Sequence, residues 1–155
     1  MDGSDARFIR QLLNEPAFLH YIGDRGVRTE ADARRYIQDG PVASYRQHGF
    51  GLFVVEIQTT GKAIGICGLV KRDELADADI GFAFLESFWS KGYAFESASA
   101  VIRHAKHQLG LQRVVAITLS DNGPSIRLLK KLGLTYARPV GIGGETLELY
   151  QRAWR

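Results

Sequence analysis

The segment from Asp79 to Leu109 changes its hydrophobic period part-way, and that change dictates most of what this chain can fold into. Ile80 to Leu85 is an apolar and aromatic run bounded by polar residues, with the length and phenylalanine content of a core strand. From Ala94 the small and apolar residues fall at Ala94, Ala98, Val101, Ile102, Ala105 and Leu109, a spacing of three and four that makes one helical stripe, ended by Gly110. Arg113 to Leu119 then returns to a β-branched run with Val114, Val115, Ile117 and Thr118. Strand, helix and strand in that order make a βαβ crossover, and ligands of such units sit beyond the carboxyl ends of the strands. The turn between the first strand and the helix, Ser87 to Tyr93, carries Gly92 at the helix entrance. The first N–H groups of a helix lack internal partners and sit at its positive pole, so this turn suits a phosphate or pyrophosphate, and Lys91 adds a full charge there.

The other elements arrange themselves around this unit. Asp5 is placed to cap a first helix whose stripe is Phe8, Ile9, Leu12 and Leu13, stopped before Pro16. Phe18 to Ile22 is a short segment closed by a glycine turn, after which Thr29 and Asp32 form a capping-box start to a second helix. That helix is expected to break near Gly40 and Pro41 and to resume through Tyr45 to His48. This N-terminal region shows few packing demands and reads as a substrate wall. Phe50 to Ile57 and Ala63 to Val70 are two strands of a hairpin; Gly65 and Gly68 inside the second mark a bulge or a close backbone approach. The linker Lys71 to Asp77 is charged and expected to face solvent. Beyond Ser120, Asp121 or Asn122 caps another helix, with Pro124 in its first turn, Lys130 and Lys131 at its end and Gly133 as terminator. Thr135 to Val140 and Glu145 to Trp154 close the chain as a hairpin in which Leu147, Leu149 and Ala153 alternate inward. The fold class is α/β: one domain over residues 1–155, with a mixed, mostly antiparallel central sheet and helices on both faces.

Charge and cysteine usage exclude several functions. The net charge is +3 with no basic block, which argues against nucleic acid as a partner. Cys67 is the one cysteine, set among apolar residues, so an intramolecular disulfide and a multi-cysteine zinc site are excluded and no metal is expected. No apolar run approaches the roughly eighteen residues of a membrane span and no leader pattern opens the chain, so a cytoplasmic location without membrane partners is expected.

The residues of the crossover carry a resemblance. Asp79-Ile80-Gly81 followed by Trp89-Ser90-Lys91-Gly92-Tyr93-Ala94, then Asn122, Ser125 and Gly133-Leu134, resembles the GNAT superfamily of N-acetyltransferases, in the RimJ/RimL-like branch, over roughly residues 5 to 140. The resemblance implies acetyl-CoA as acetyl donor and co-substrate, transfer to a primary amine (a protein N-terminus or a small molecule) by direct attack in a ternary complex, and no metal. It assigns acetyl-CoA binding to Phe84, Leu85, Trp89, Ser90, Lys91, Gly92, Tyr93, Ala94, Asn122 and Ser125. Two departures from the family pattern stand out. Its first strand is missing before Asp5, which leaves a sheet edge open or completed by a second copy in a homodimer. The tyrosine that many members place seven residues after the motif asparagine is replaced by Leu129, so the role of donor to the departing thiolate passes to Ser125.

An α-amine, with a pKa of about 7.8, is roughly a tenth neutral at pH 7, so a carboxylate acting through water is base enough. Asp79 and then Glu145 are the candidates. The alternative reading, from another class, is a catalytically inactive module that binds acetyl-CoA as a sensor or scaffold.

Overall fold

Thr29 shows how closely local sequence sets the elements. Its hydroxyl accepts the Asp32 N–H at 3.0 Å and its own N–H donates to the Asp32 carboxylate at 3.1 Å, a reciprocal cap that starts a helix at Glu30. The structure, a computed structural model, describes residues 1–154; the last residue of the 1–155 domain lies outside the described residues. In chain order the helices are α1 (Ala6–Leu13), α2 (Pro16–Tyr21), α3 (Glu30–Ile37), α4 (Ala43–His48), α5 (Tyr93–His107) and α6 (Gly123–Lys131). The strands are β1 (Leu52–Glu56), β2 (Ala63–Val70), β3 (Asp79–Phe84), β4 (Arg113–Thr118), β5 (Thr135–Ile142) and β6 (Glu145–Ala153).

The strands form one sheet in the order β1-β2-β3-β4-β6-β5. Every neighbouring pair is antiparallel except β3 and β4, which are parallel and joined at one position, Asp79 opposite Val115. Beyond it the two strands splay. On one face, α5 and α6 pack Ala98, Ile102, Ala105 and Leu129 against Cys67, Leu69, Ile80, Val114, Ala116 and Tyr150. On the other, α1 to α3 pack Ile9, Leu12, Leu13, Ala33 and Ile37 with Ile66 and Leu85. That second layer covers the β1–β3 half; over β4 to β6 the same face carries Val115 and Leu149 beneath Leu75 of the β2–β3 linker.

Several expectations from the sequence are corrected. Asp5 makes no side-chain cap on α1; Asp2 caps a preceding 3-10 turn by accepting the Ser4 N–H at 2.8 Å, and Asp5 accepts the Asp2 N–H in return at 2.9 Å. Gly40 and Pro41 do not break the chain between α3 and α4: a π turn over Gln38–Val42 absorbs the proline, whose missing N–H a widened turn tolerates. The N-terminal region is well packed, since Ile9, Leu12, Leu13 and Ile37 are fully buried. In the 71–77 linker Leu75 is buried and Arg72 is half-buried against Asp79. Ala153 is exposed, while Leu149 and Tyr150 face inward on opposite sides of the sheet. Gly68 is a close approach: a Cβ there would stand 2.7 Å from the Leu52 Cα, with the Gly51 carbonyl closer still. No strand precedes α1 among the described residues, so the outer edge of β1 is unpaired. Tyr45 of α4 covers part of it, its hydroxyl donating to the Leu52 carbonyl and its ring stacked on the exposed Phe53 at 5.7 Å.

Candidate active site

The splay between β3 and β4 leaves backbone hydrogen-bonding groups without partners. Leu85 N–H donates to Ile64 C=O at 2.9 Å, and because antiparallel pairing alternates, the N–H and C=O groups of Phe82 and Phe84 turn away from β2 toward β4. Trp154 N–H donates to Gln112 C=O at 3.3 Å, and the same alternation turns those of Ile117 and Leu119 away from β6 toward β3. Two of these groups are taken within the chain: the Trp89 indole N–H donates to the Phe84 carbonyl at 2.9 Å, fixing the loop that leads to α5, and the Asn122 N–H donates to the Leu119 carbonyl at 3.1 Å in the turn before α6. The gap is therefore an open ladder position bounded by Phe82, Phe84, Ile117 and Leu119. Leu85, expected to bind there through its backbone, is committed to β2 and buried against the N-terminal helices.

At the mouth of the gap the chain enters α5. Gly92 is its N-cap with φ +86°, and Ser90 also takes a left-handed φ of +60°, so the 90–92 backbone curls into a concave turn of the kind that gathers N–H groups. No side chain caps α5, which leaves the N–H groups of its first turn unsatisfied. A Cβ on Gly92 would meet nothing within 4 Å, so the space over the turn is open to a ligand. Tyr93 stands edge-on to Phe88 at 6.2 Å, and Ala94 lines the cleft beside Gly92. The Lys91 ammonium lies over the Phe88 ring, 5.5 Å from its centre, and Lys91 also lines a depression on the flank of α5 with Arg103.

α6 opens beside this turn. Asn122 Oδ1 accepts the Ser125 N–H at 3.2 Å and is the cap, which leaves the Ser125 hydroxyl without a hydrogen bond to the described residues. Lys131 lies over the Phe95 ring at 4.2 Å, tying α6 to the first turn of α5.

One cleft of about 1100 Å³ runs from this mouth, through the gap, to the α2–α4 side of the sheet. At its inner end Asp79 is 2% exposed and accepts from Arg72 Nε at 2.7 Å. Burial pushes its carboxyl up to about 6, against the hydrogen bond and charge of Arg72, which pull it down. Glu145 is exposed at the start of β6. Val115 lies opposite both Asp79 and Gln151, six residues along β6 from Glu145, so the two carboxylates stand about 20 Å apart along the strands. They do not meet at one atom. Sequence reasoning missed Arg72, together with Arg25, Tyr36 and His48 of the α2–α4 wall. Arginine in a charged linker carries no signal of what it will face. Among the described residues no group of three or more potential metal ligands occurs, and no helix is long and apolar enough to cross a membrane.

The family model described as "Acetyltransferase (GNAT) domain" matches residues 1–135. An uncharacterized N-acetyltransferase of Bacillus subtilis strain 168, YoaA, is 34% identical over 130 residues, covering 83% of this chain and 73% of its own. An acetyltransferase structure from Agrobacterium tumefaciens superposes with a TM-score of 0.85 at 19% identity, over 99% of this chain and 88% of that one. RimL, a ribosomal L7/L12 α-N-protein acetyltransferase solved with coenzyme A, superposes at 0.83 with 20% identity, over 99% and 90%.

Proposed function

Since this chain belongs to the GNAT family of N-acetyltransferases, we propose that it binds acetyl-CoA in the β3–β4 gap and directs the acetyl group to a primary amine in a ternary complex. The observation that carries the reading is the open ladder position: Phe82 and Ile117 offer a linear amide chain the hydrogen bonds that another strand would supply. The free first turn of α5 and the concave Ser90-Lys91-Gly92 backbone then hold the pyrophosphate at the mouth, where the helix dipole favours negative charge. Acetyl-CoA supplies the activated acyl group as a thioester.

The remaining work falls to side chains of this chain. Asp79, ionised above about pH 6, takes a proton from the acceptor ammonium directly or through water, so that the amine attacks as the free base. The N–C bond forms as the C–S bond breaks, and the further proton that the nitrogen sheds on becoming an amide passes to solvent. Ser125 donates its free hydroxyl hydrogen bond toward the sulfur as charge develops there, and the thiolate is protonated from solvent through it. Backbone N–H groups lining the gap polarise the thioester carbonyl.

A thermal-shift panel tests the donor: acetyl-CoA at a hundredfold over its dissociation constant stabilises by about 2.7 kcal/mol, and ATP or NAD does not. An equal response to all three would overturn the donor assignment. Thiol release with an amine panel then separates an enzyme from a module that binds without turnover.

A further inference from the structure

The inner end of the cleft has a charge arrangement that selects among amines. Arg25, on the turn between α2 and α3, is exposed and pairs with no carboxylate among the described residues. Arg72 gives only Nε to Asp79, so its two Nη groups have no hydrogen-bond partner among the described residues. Both guanidinium groups act on Tyr36, whose hydroxyl has no hydrogen bond to the described residues and lines the same cleft wall. The nearby charges are Lys71, which is folded back onto the carbonyls of Arg72 and Leu75, and the acids Asp39 and Asp79, the second already bonded to Arg72. Tyr21 of α2 and His48, the latter stacked on Phe50, are the other titratable groups of this wall.

Resting on the acetyltransferase reading above, we propose that the acceptor is a small amine bearing a carboxylate beside its amino group, the carboxylate held by Arg72 and Arg25 with Tyr36. Arg72 is the pivot. Its planar fork binds Asp79 through one edge and offers the other to an incoming carboxylate in bidentate fashion. An amino group one carbon away from that carboxylate is thereby brought to the Asp79 side of the fork, where its proton has a place to go. A polyamine or aminoglycoside would bring several ammonium groups against two arginines, and a peptide N-terminus replaces the carboxylate by an amide that cannot pair with them.

The test is thiol release by the full chain with saturating acetyl-CoA and matched acceptors: free amino acids, their primary amides, the corresponding decarboxylated amines, a short peptide and spermidine. At least one free amino acid should exceed its amide and its decarboxylated amine in kcat/KM by about tenfold to a hundredfold, as a charge-assisted pair supplies. Arg25→Gln should erase most of that preference through KM with kcat little changed, and Arg25→Lys should restore part of it. Turnover of amides, peptide or spermidine at equal or higher efficiency, insensitive to Arg25→Gln, overturns the acceptor class while leaving acetyl transfer intact. Binding of acetyl-CoA without thiol release for any amine overturns the transfer reading, and this inference with it.

Discussion

Replacing Asp79 by Asn tests whether a buried carboxylate sits where the structure puts it. Its carboxyl titrates at about 6 in the fold against 3.8 for the ordinary group, because burial penalises the charged form more than Arg72 stabilises it. Between those values the folded chain keeps a proton that the unfolded chain has lost. The derivative of unfolding free energy with pH is then negative: the contribution is complete below about pH 4 and is lost as pH rises through about 6. A gap of about two units corresponds to roughly 3 kcal/mol. Urea unfolding of wild type and Asp79→Asn at pH 4, 5, 6 and 7 should show their stability difference moving by that amount in favour of the variant as pH rises. Asp2, Asp24 and Asp32, whose carboxyls are held below the usual range by neighbouring hydrogen bonds, contribute alike to both proteins and cancel in the difference. Parallel pH profiles would refute the reasoning. The acid limb of kcat/KM should fall near pH 6 if Asp79 takes the amine proton, and Arg72→Gln should move it upward by removing the two effects that lower it.

Gly92→Val should weaken acetyl-CoA binding at least tenfold by calorimetry (on the order of 1.4 kcal/mol or more), since φ +86° costs a branched residue about 1–2 kcal/mol and its side chain would fill the open space over the turn; wild-type affinity would remove the pyrophosphate from this site. Ser125→Ala should lower kcat by about tenfold to a thousandfold with KM for acetyl-CoA little changed, as expected of an interaction that strengthens in the transition state. Because Asn122 is the cap, the melting temperature of that variant should stay near wild type, and an unchanged kcat would leave the thiolate to another donor. Gly68→Ala should cost about 1–3 kcal/mol in denaturant unfolding, because its Cβ collides with the backbone of Gly51 and Leu52, neither of which can rotate away.

The crossover was legible because its signals are local. The strand from Asp79, the helix entered at Gly92 and the cap at Asn122 each follow from a few adjacent residues, and so does the Thr29 box. The π turn at Pro41 was not, since its strain is relieved by α3 and α4 continuing on either side. The pairing of Arg72 with Asp79 crosses a linker whose composition suggested solvent, and only the fold of that linker over β4 and β6, anchored by Leu75, buries the pair. The two halves of the gap were hidden for a different reason. Which backbone groups of Phe82 and Ile117 face each other depends on the register of β3 with β2 and of β4 with β6, and register across separate hairpins leaves no trace in composition.

With β3 and β4 joined at Asp79 and Val115 alone, the sheet amounts to two three-stranded leaves sewn together by one stitch. What keeps the leaves in line is α5, whose Ala98, Ile102 and Ala105 belong to a cluster containing Cys67, Leu69 and Ile80 from one leaf and Val114, Ala116 and Tyr150 from the other. The helix works as a keel beneath the seam, and its forward tip is the turn at Gly92. A ligand seated at that tip and threaded along the seam would brace keel and leaves together, so the sheet gains its missing stiffness from the molecule it binds.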